Sequence, residues 1–575
     1  MSNPIITTSL FRVGTCPTRG RTSPLSKRRV LAWPALLLAL ILFSLATQAF
    51  AVRHERLIDS WKPVNYNVAL TLNERLTEIA TARAEITIIS LKDTLSKIDL
   101  DFGELPIDSV AVNNQAAPYQ RSSGLLNIKL AKAMPRGTRL IVVVAYHGKP
   151  KDGLILTEDK AGKPSAVGDN WPNRVHQWIP CLDHPAAKAT VTFSVTAPVG
   201  NIVVANGEMA RVVDASPTTR TWTYNESVPI PPYCMIIAVG DFAQLGPPTL
   251  DLVPLQYYVP QPDKSFALQG FAPALPALRF FSQTIAPYPY EKLALIIGAT
   301  RFGGMENSSA IVFPSTLSAP RPQESVSSVF KIREGLVDVI AHEIAHQWFG
   351  DSVSETTWSD LWLSEGFAEY FAGLFIQRHE GEAAFQQYMK HEAETYLNYE
   401  KKTRTPIHDT ETEDLFKLLN ANNYQKGAWV LHMLRSELGD ENFFRSIRLY
   451  YQAHRNATAD SEDLRAAFEK ASGRDLKNFF ARWIYGTGHP RYELSWEWKA
   501  NTKKVRLVLR QLQTEPAFPN ALPVDIMTSN GKRRVILKPS GKQTLQEIKL
   551  DEAPTAIDID PENTVLKEVT EIRER

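Results

Sequence analysis

Cysteine is nearly missing from this chain. Cys16, Cys181 and Cys234 are the three in 575 residues. That excludes a disulfide-stapled scaffold and a multi-cysteine zinc module. Net charge is nearly missing as well, at +2. Arg12, Arg19, Arg21, Lys27, Arg28 and Arg29 precede residue 52 with no acid among them, so the remaining chain carries 58 basic against 62 acidic residues. Such a balance gives no support to a nucleic-acid-binding surface. Internal repeats, low-complexity tracts and long apolar runs are absent beyond residue 51. What remains is an ordinary globular composition, 44% apolar and 22% charged, long enough for three or four domains.

The one apolar run lies at the start. Lys27-Arg28-Arg29 precedes residues 30–46, and Ala49-Phe50-Ala51 follows. Charge, apolar core and small-x-small site in that order predict a signal peptide over 1–51, hence a secreted or periplasmic protein. The alternative is an anchor formed by residues 30–46, which would be the protein's one link to a membrane. The run is a little short for a span of about 20 residues and contains Pro34. In an oxidising compartment Cys181 and Cys234 pair or remain two buried thiols.

Three regions follow. Tyr66, Val68, Leu70 and Leu72 alternate, as do Ala84, Ile86 and Ile88, and 140–144 is a continuous apolar run suited to a strand buried on both faces. Residues 52–245 therefore read as a β domain. Helices dominate 246–488, for example Leu464, Ala467, Phe468 and Ala471 between Asp460 and Gly473. In 489–575 strands return, with Asn530-Gly531 marking a hairpin. The predicted fold class is multidomain α+β.

The sharpest chemical signal is His342-Glu343-Ile344-Ala345-His346, within a segment that continues as a helix. Residues four apart share a helix face, so both imidazoles can meet one zinc ion. Glu343 lies one step round the helix, where it can act as a general base on a water. A third ligand is at hand. Glu365 sits in an apolar second helix, and a buried carboxylate there is costly unless it is paired or holds a metal. Glu369, four residues on, either orients a ligand histidine or is a solvated helix carboxylate.

With these motifs in view the sequence resembles the aminopeptidase N family of gluzincin metallopeptidases. His342-Glu343-x-x-His346 followed by Glu365 is similar to its metal signature. Gly303-Gly304-Met305-Glu306-Asn307 resembles its exopeptidase motif, and Tyr424-Gln425-Lys426-Gly427 its catalytic tyrosine motif. The phrases from Tyr288 to Leu293 and from Pro180 to Ala189 are also similar. The resemblance implies a β-rich amino-terminal domain, a thermolysin-like, mainly α catalytic domain and a small carboxy-terminal β-sandwich, as in short, three-domain members. It implies one zinc on His342, His346 and Glu365, with Glu343 as base and Tyr424 as oxyanion donor. Glu306 would hold the ammonium of a peptide with a free amino terminus, and Gly303, Gly304, Met305 and Asn307 would line the substrate strand. Gly304 stands where the family commonly has Ala. A second ammonium anchor is expected just before Pro180-Cys181, where Asp169 or Asn170 could serve but Trp171 occupies the expected place. The competing readings are a zinc endopeptidase and a non-catalytic peptide-binding protein on the same fold.

Overall fold

The computed structural model describes residues 52–247, 253–318 and 334–574. The leader or anchor expected in 1–51 lies outside them. Among the described residues no helix is long and apolar enough to cross a membrane.

The amino-terminal region is built on alternation. Tyr66, Val68, Leu70 and Leu72 of strand Trp61–Leu72 point one way and are buried. Each buried Val or Leu contributes roughly 1.5–3 kcal/mol. That strand pairs antiparallel with Ile79–Ser90 and parallel with Ala189–Pro198, at the heart of an eight-stranded sheet. Strand Arg139–Gly148 corrects one expectation. Leu140, Val142, Val143 and Val144 are buried, but Ile141 faces out at 42% exposure, so the second face of this strand is covered only in part.

Helices dominate the middle region, but a four-stranded sheet supports them. Its order is Phe242–Leu245, Leu255–Pro260, Leu293–Gly298, Ala310–Pro314, with parallel pairing between the last three. Strand Phe242–Leu245 thus belongs with the helical region, so the seam between the two regions falls before Phe242. Helix Ser461–Ser472 has the ends its sequence dictates. Asp460 caps it in a reciprocal box with Asp463, and Gly473 ends it at φ 70°, a conformation that favours glycine.

Beyond residue 490 two small sheets pack together, and Leu522–Thr528 and Gly531–Leu537 form the expected hairpin. Their core is continuous with that of the helical region. A separate apolar cluster, including Trp171, Tyr233, Met305 and Trp358, fills the seam between the amino-terminal and helical regions and forms one wall of the cleft described next.

Candidate metal centre and cleft

His342 and His346 lie on helix Glu334–His346, and Glu365 in the first turn of helix Trp362–Glu380. The second helix is buried on nearly every side, so Glu365 is nearly buried and is costly unless it is paired or holds a metal. The two imidazole Nε2 atoms are 3.0 Å apart, and Glu365 Oε2 stands 3.4 Å from His342 Nε2 and 3.3 Å from that of His346. These three ligand atoms form the one His/Cys/Asp/Glu cluster of metal-binding geometry among the described residues.

The outer ring nitrogens explain why the inner ones are free to ligate. His342 Nδ1 is 2.9 Å from Glu369 Oε2. His346 Nδ1 is 3.1 Å from both the Phe349 carbonyl and Ser364 Oγ. A proton on each Nδ1 leaves an Nε2 lone pair aimed at the shared centre, the arrangement that second-shell partners give a metal-binding histidine. The charges agree. Burial opposes charging Glu365, yet the two imidazoles hold it down to about 2. Burial likewise opposes charging His346, yet Glu365 lifts it to about 9. A buried donor set of two imidazoles and one carboxylate fits zinc.

Around this centre lies a cavity of about 260 Å³. Glu343, Glu306 and Tyr424 all line it, as do Gly303, Gly304 and Met305. Asn307 is fully buried behind the strand and does not line the cavity. Burial, reinforced by Glu306 and Glu365, pushes Glu343 up to about 8 against the pull of the imidazoles. Its Oε2 has no hydrogen-bond partner. Burial and the nearby Glu365 also raise Glu306, with His346 pulling the other way.

Glycines set the approach of the backbones. A Cβ on Gly304 would stand 2.2 Å from Glu343 Oε1, so the bare backbone crosses directly over that carboxyl. Gly366 and Gly427 touch backbone to backbone, where a Cβ on either would meet the other's Cα below 3.0 Å. That contact brings the π-turn Asn422–Lys426, which carries Tyr424, against the helix of Glu365. The Tyr424 ring stacks 6.0 Å from that of His342.

Neither candidate for a second ammonium anchor reaches the cavity. Asp169 Oδ2 accepts from Arg174 at 2.8 Å and Oδ1 from Thr300 at 2.9 Å. Asn170 accepts from the Trp178 indole at 2.9 Å and donates to the Met235 carbonyl. Trp171 lines the cavity instead, edge-on to Phe302 at 5.9 Å. Cys181 and Cys234 are separate buried thiols, and Cys234 donates to Asp351. Sequence reasoning did not pick out Phe302, Leu419, Ser364 or Gln347. No motif marks Leu419. Phe302, Ser364 and Gln347 each adjoin a motif residue, Gly303, Glu365 and His346, and that adjacency was the available signal.

A buried His-His-Glu centre beside an acid-lined cleft, on a β-rich, helical and β-sheet architecture, defines a metallopeptidase class. Comparison with known proteins agrees. Residues 271–483 match the peptidase family M1 domain and residues 62–234 the peptidase M1 N-terminal domain. The chain belongs to peptidase family M1. It is 27% identical to "Probable aminopeptidase 1" of Saccharolobus solfataricus, over 70% of this chain and 51% of that protein. It is 31% identical to "Aminopeptidase M1" of Arabidopsis thaliana, over 64% and 42%. It is 28% identical to human "Glutamyl aminopeptidase", over 58% and 35%. The chain spans about half the length of the first of these relatives and less of the others.

Proposed function

We propose that this protein is a zinc-dependent aminopeptidase that removes the first residue from peptides with a free amino terminus. The observation that carries the reading is the placing of the Glu306 carboxylate in the same cavity as the His-His-Glu centre and Glu343. A buried acid there selects an ammonium and offers nothing to the middle of a chain, which argues against an endopeptidase. The presence of His342, Glu343, His346, Glu365 and Tyr424 together argues against a non-catalytic binder.

When bound by His342, His346 and Glu365, zinc supplies Lewis acidity toward the scissile carbonyl and the attacking water. Glu306 holds the ammonium, and the Gly303-Gly304 strand lets the peptide backbone lie close. Glu343 takes the water's proton and returns it to the leaving amine. Its raised affinity for a proton suits both halves of that task. The Tyr424 hydroxyl donates to the carbonyl oxygen as charge develops on it.

The cavity also supports a class of first residue. Trp171, Phe302, Met305 and Leu419 give it an apolar wall, and five acids line it with no Lys or Arg among the described residues. Away from the metal-binding histidines, an acidic side chain would meet carboxylates and no Lys or Arg to neutralise it. The reading is therefore an apolar first residue, unlike the relatives named glutamyl aminopeptidase. Export through residues 1–51 completes the proposal and rests on the sequence alone.

Cleavage of leucine anilide, its acetylated form and glutamate anilide by purified, zinc-assayed protein tests the reading. The expected outcome is cleavage of the first, none of the second, and at least about a tenfold lower kcat/KM for the third. Loss of activity with a chelator is expected. Equal cleavage of free and acetylated substrates would point to an endopeptidase.

A further inference from the structure

Gln347 follows the second metal-binding histidine and is fully buried. All of its amide is used. Nε2 donates to the Glu306 carbonyl at 2.7 Å and to Asp351 Oδ2 at 2.9 Å. Oε1 accepts from the Ser309 backbone N–H at 2.8 Å and, at 2.9 Å, shares the Tyr288 hydroxyl proton with the Lys292 carbonyl, which lies 3.0 Å from the same hydroxyl. Two donors and two acceptors are the full capacity of an amide. The partners come from three separate stretches of chain. One of them is the backbone of the residue that faces the substrate's ammonium.

The loop after Glu306 is held just as firmly from its far side. Ser309 has φ 61°, in the left-handed region that non-glycine residues avoid. Its carbonyl accepts from Lys292 Nζ at 3.0 Å. Its hydroxyl donates to Glu226 at 3.0 Å and accepts from the Gly207 N–H at 2.8 Å. Segment 306–309 is therefore clamped between the amino-terminal region and one side chain on the metal-binding stretch. Gln347 is the described side chain that bonds directly to both ends of this segment, Glu306 and Ser309, and its own backbone adjoins His346.

We propose that Gln347 is a positioning residue that fixes the distance between the ammonium anchor Glu306 and the metal-binding histidines, so that the site measures one residue from a chain end. The inference rests on the aminopeptidase reading. Gln347 touches no substrate and acts through the Glu306 backbone. A fully satisfied buried amide suits the task, because any displacement breaks several bonds at once.

The test separates the ammonium's contribution from everything else. Leucine hydroxamate and isocaproyl hydroxamate, the same molecule without the amino group, are titrated against zinc-loaded protein, with zinc content and Tm measured alongside. In wild type the amino compound is expected to bind more tightly. Gln347→Met should reduce that advantage at least about tenfold, since misplacement of about 1 Å is that costly, while isocaproyl hydroxamate binds within about twofold of wild type. In a Glu306→Ala background Gln347→Met should have no further effect on the ratio, because the two act as one unit. Should Gln347→Met not fold, Gln347→Glu keeps the acceptor half and sets a carboxylate against Asp351 and the Glu306 carbonyl; the same loss of ratio is expected. Equal weakening of both hydroxamates, an unchanged ratio, or loss of fold in both variants would make Gln347 merely structural and overturn the proposal. A wild-type protein that binds both hydroxamates equally would instead sink the aminopeptidase reading itself.

Discussion

The two sides of the cleft are built by different rules. The metal side is two helices. His342, His346, Glu365 and Glu369 reach one another through a spacing of four residues on each helix, and the connection 347–361 brings the helices together. The ammonium side is assembled from strands, loops and a domain seam. Segment 306–309, Gln347 and Trp171 come from places far apart in the chain. Two acids make the contrast plain. Asp169 and Glu306 are both buried and both directly precede an asparagine, yet an arginine consumes the first while the second faces the cavity. What a carboxylate can bind is decided by what already fills its lone pairs.

The strongest way to break this comparison is at the base. Glu343→Gln is expected to keep the metal and to lower kcat by about 10²–10⁴, since the amide cannot accept a proton. His346→Ala should lose the metal altogether. Zinc content and single-turnover rates on both variants separate the roles, and substantial turnover by Glu343→Gln would remove Glu343 as base. Next in size is Tyr424→Phe, expected to lower kcat by about 10²–10³ with KM and zinc content nearly unchanged. A normal kcat with a lower Tm would instead make Tyr424 a packing residue.

Glu369→Gln probes the metal side more gently. Its bond to His342 Nδ1 orients that ring, and such partners are typically worth about 10–100-fold in metal affinity. Competition with a zinc chelator measures it, and unchanged affinity would relegate Glu369 to packing.

The smallest effect lies away from the cleft. His432 receives a hydrogen bond from the Tyr370 hydroxyl and donates to the Asn563 carbonyl, tying the helical region to the last β region. Burial above all pushes it down to about 4. The folded state therefore binds this proton less readily than the unfolded chain does. The stabilisation is complete above about pH 6.5 and drains away as the pH falls from there toward 4, to a limit of about 3 kcal/mol. His432→Gln should flatten that part of the Tm-against-pH curve. An unchanged acid limb would mean that other groups control it.

Much of the metal side is legible in the sequence, because helical period and spacing are local. The caps of helix Ser461–Ser472 and the Asn530-Gly531 hairpin are legible for the same reason. The ammonium side is not. Arg174 stands five residues from Asp169, but it takes the fold to pair the two, and Thr300, from the helical region, completes the acid's hydrogen bonds. The supporting sheet was hidden as well. Leu293–Gly298 and Ala310–Pro314 are short, wholly apolar runs, which periodicity alone cannot separate from buried helix. Ile141 misled for the opposite reason, since an apolar residue in an apolar run can still face water.

The contact between Gly366 and Gly427 has a mechanical consequence. With no side chain between the two backbones there is no compliant layer to absorb a displacement. A shift of the helix that carries Glu365 is handed on, undamped, to the turn that carries Tyr424. Glu365 and Tyr424 thus behave as two teeth cut on one gear, and an added methyl at either glycine would throw both out of step together.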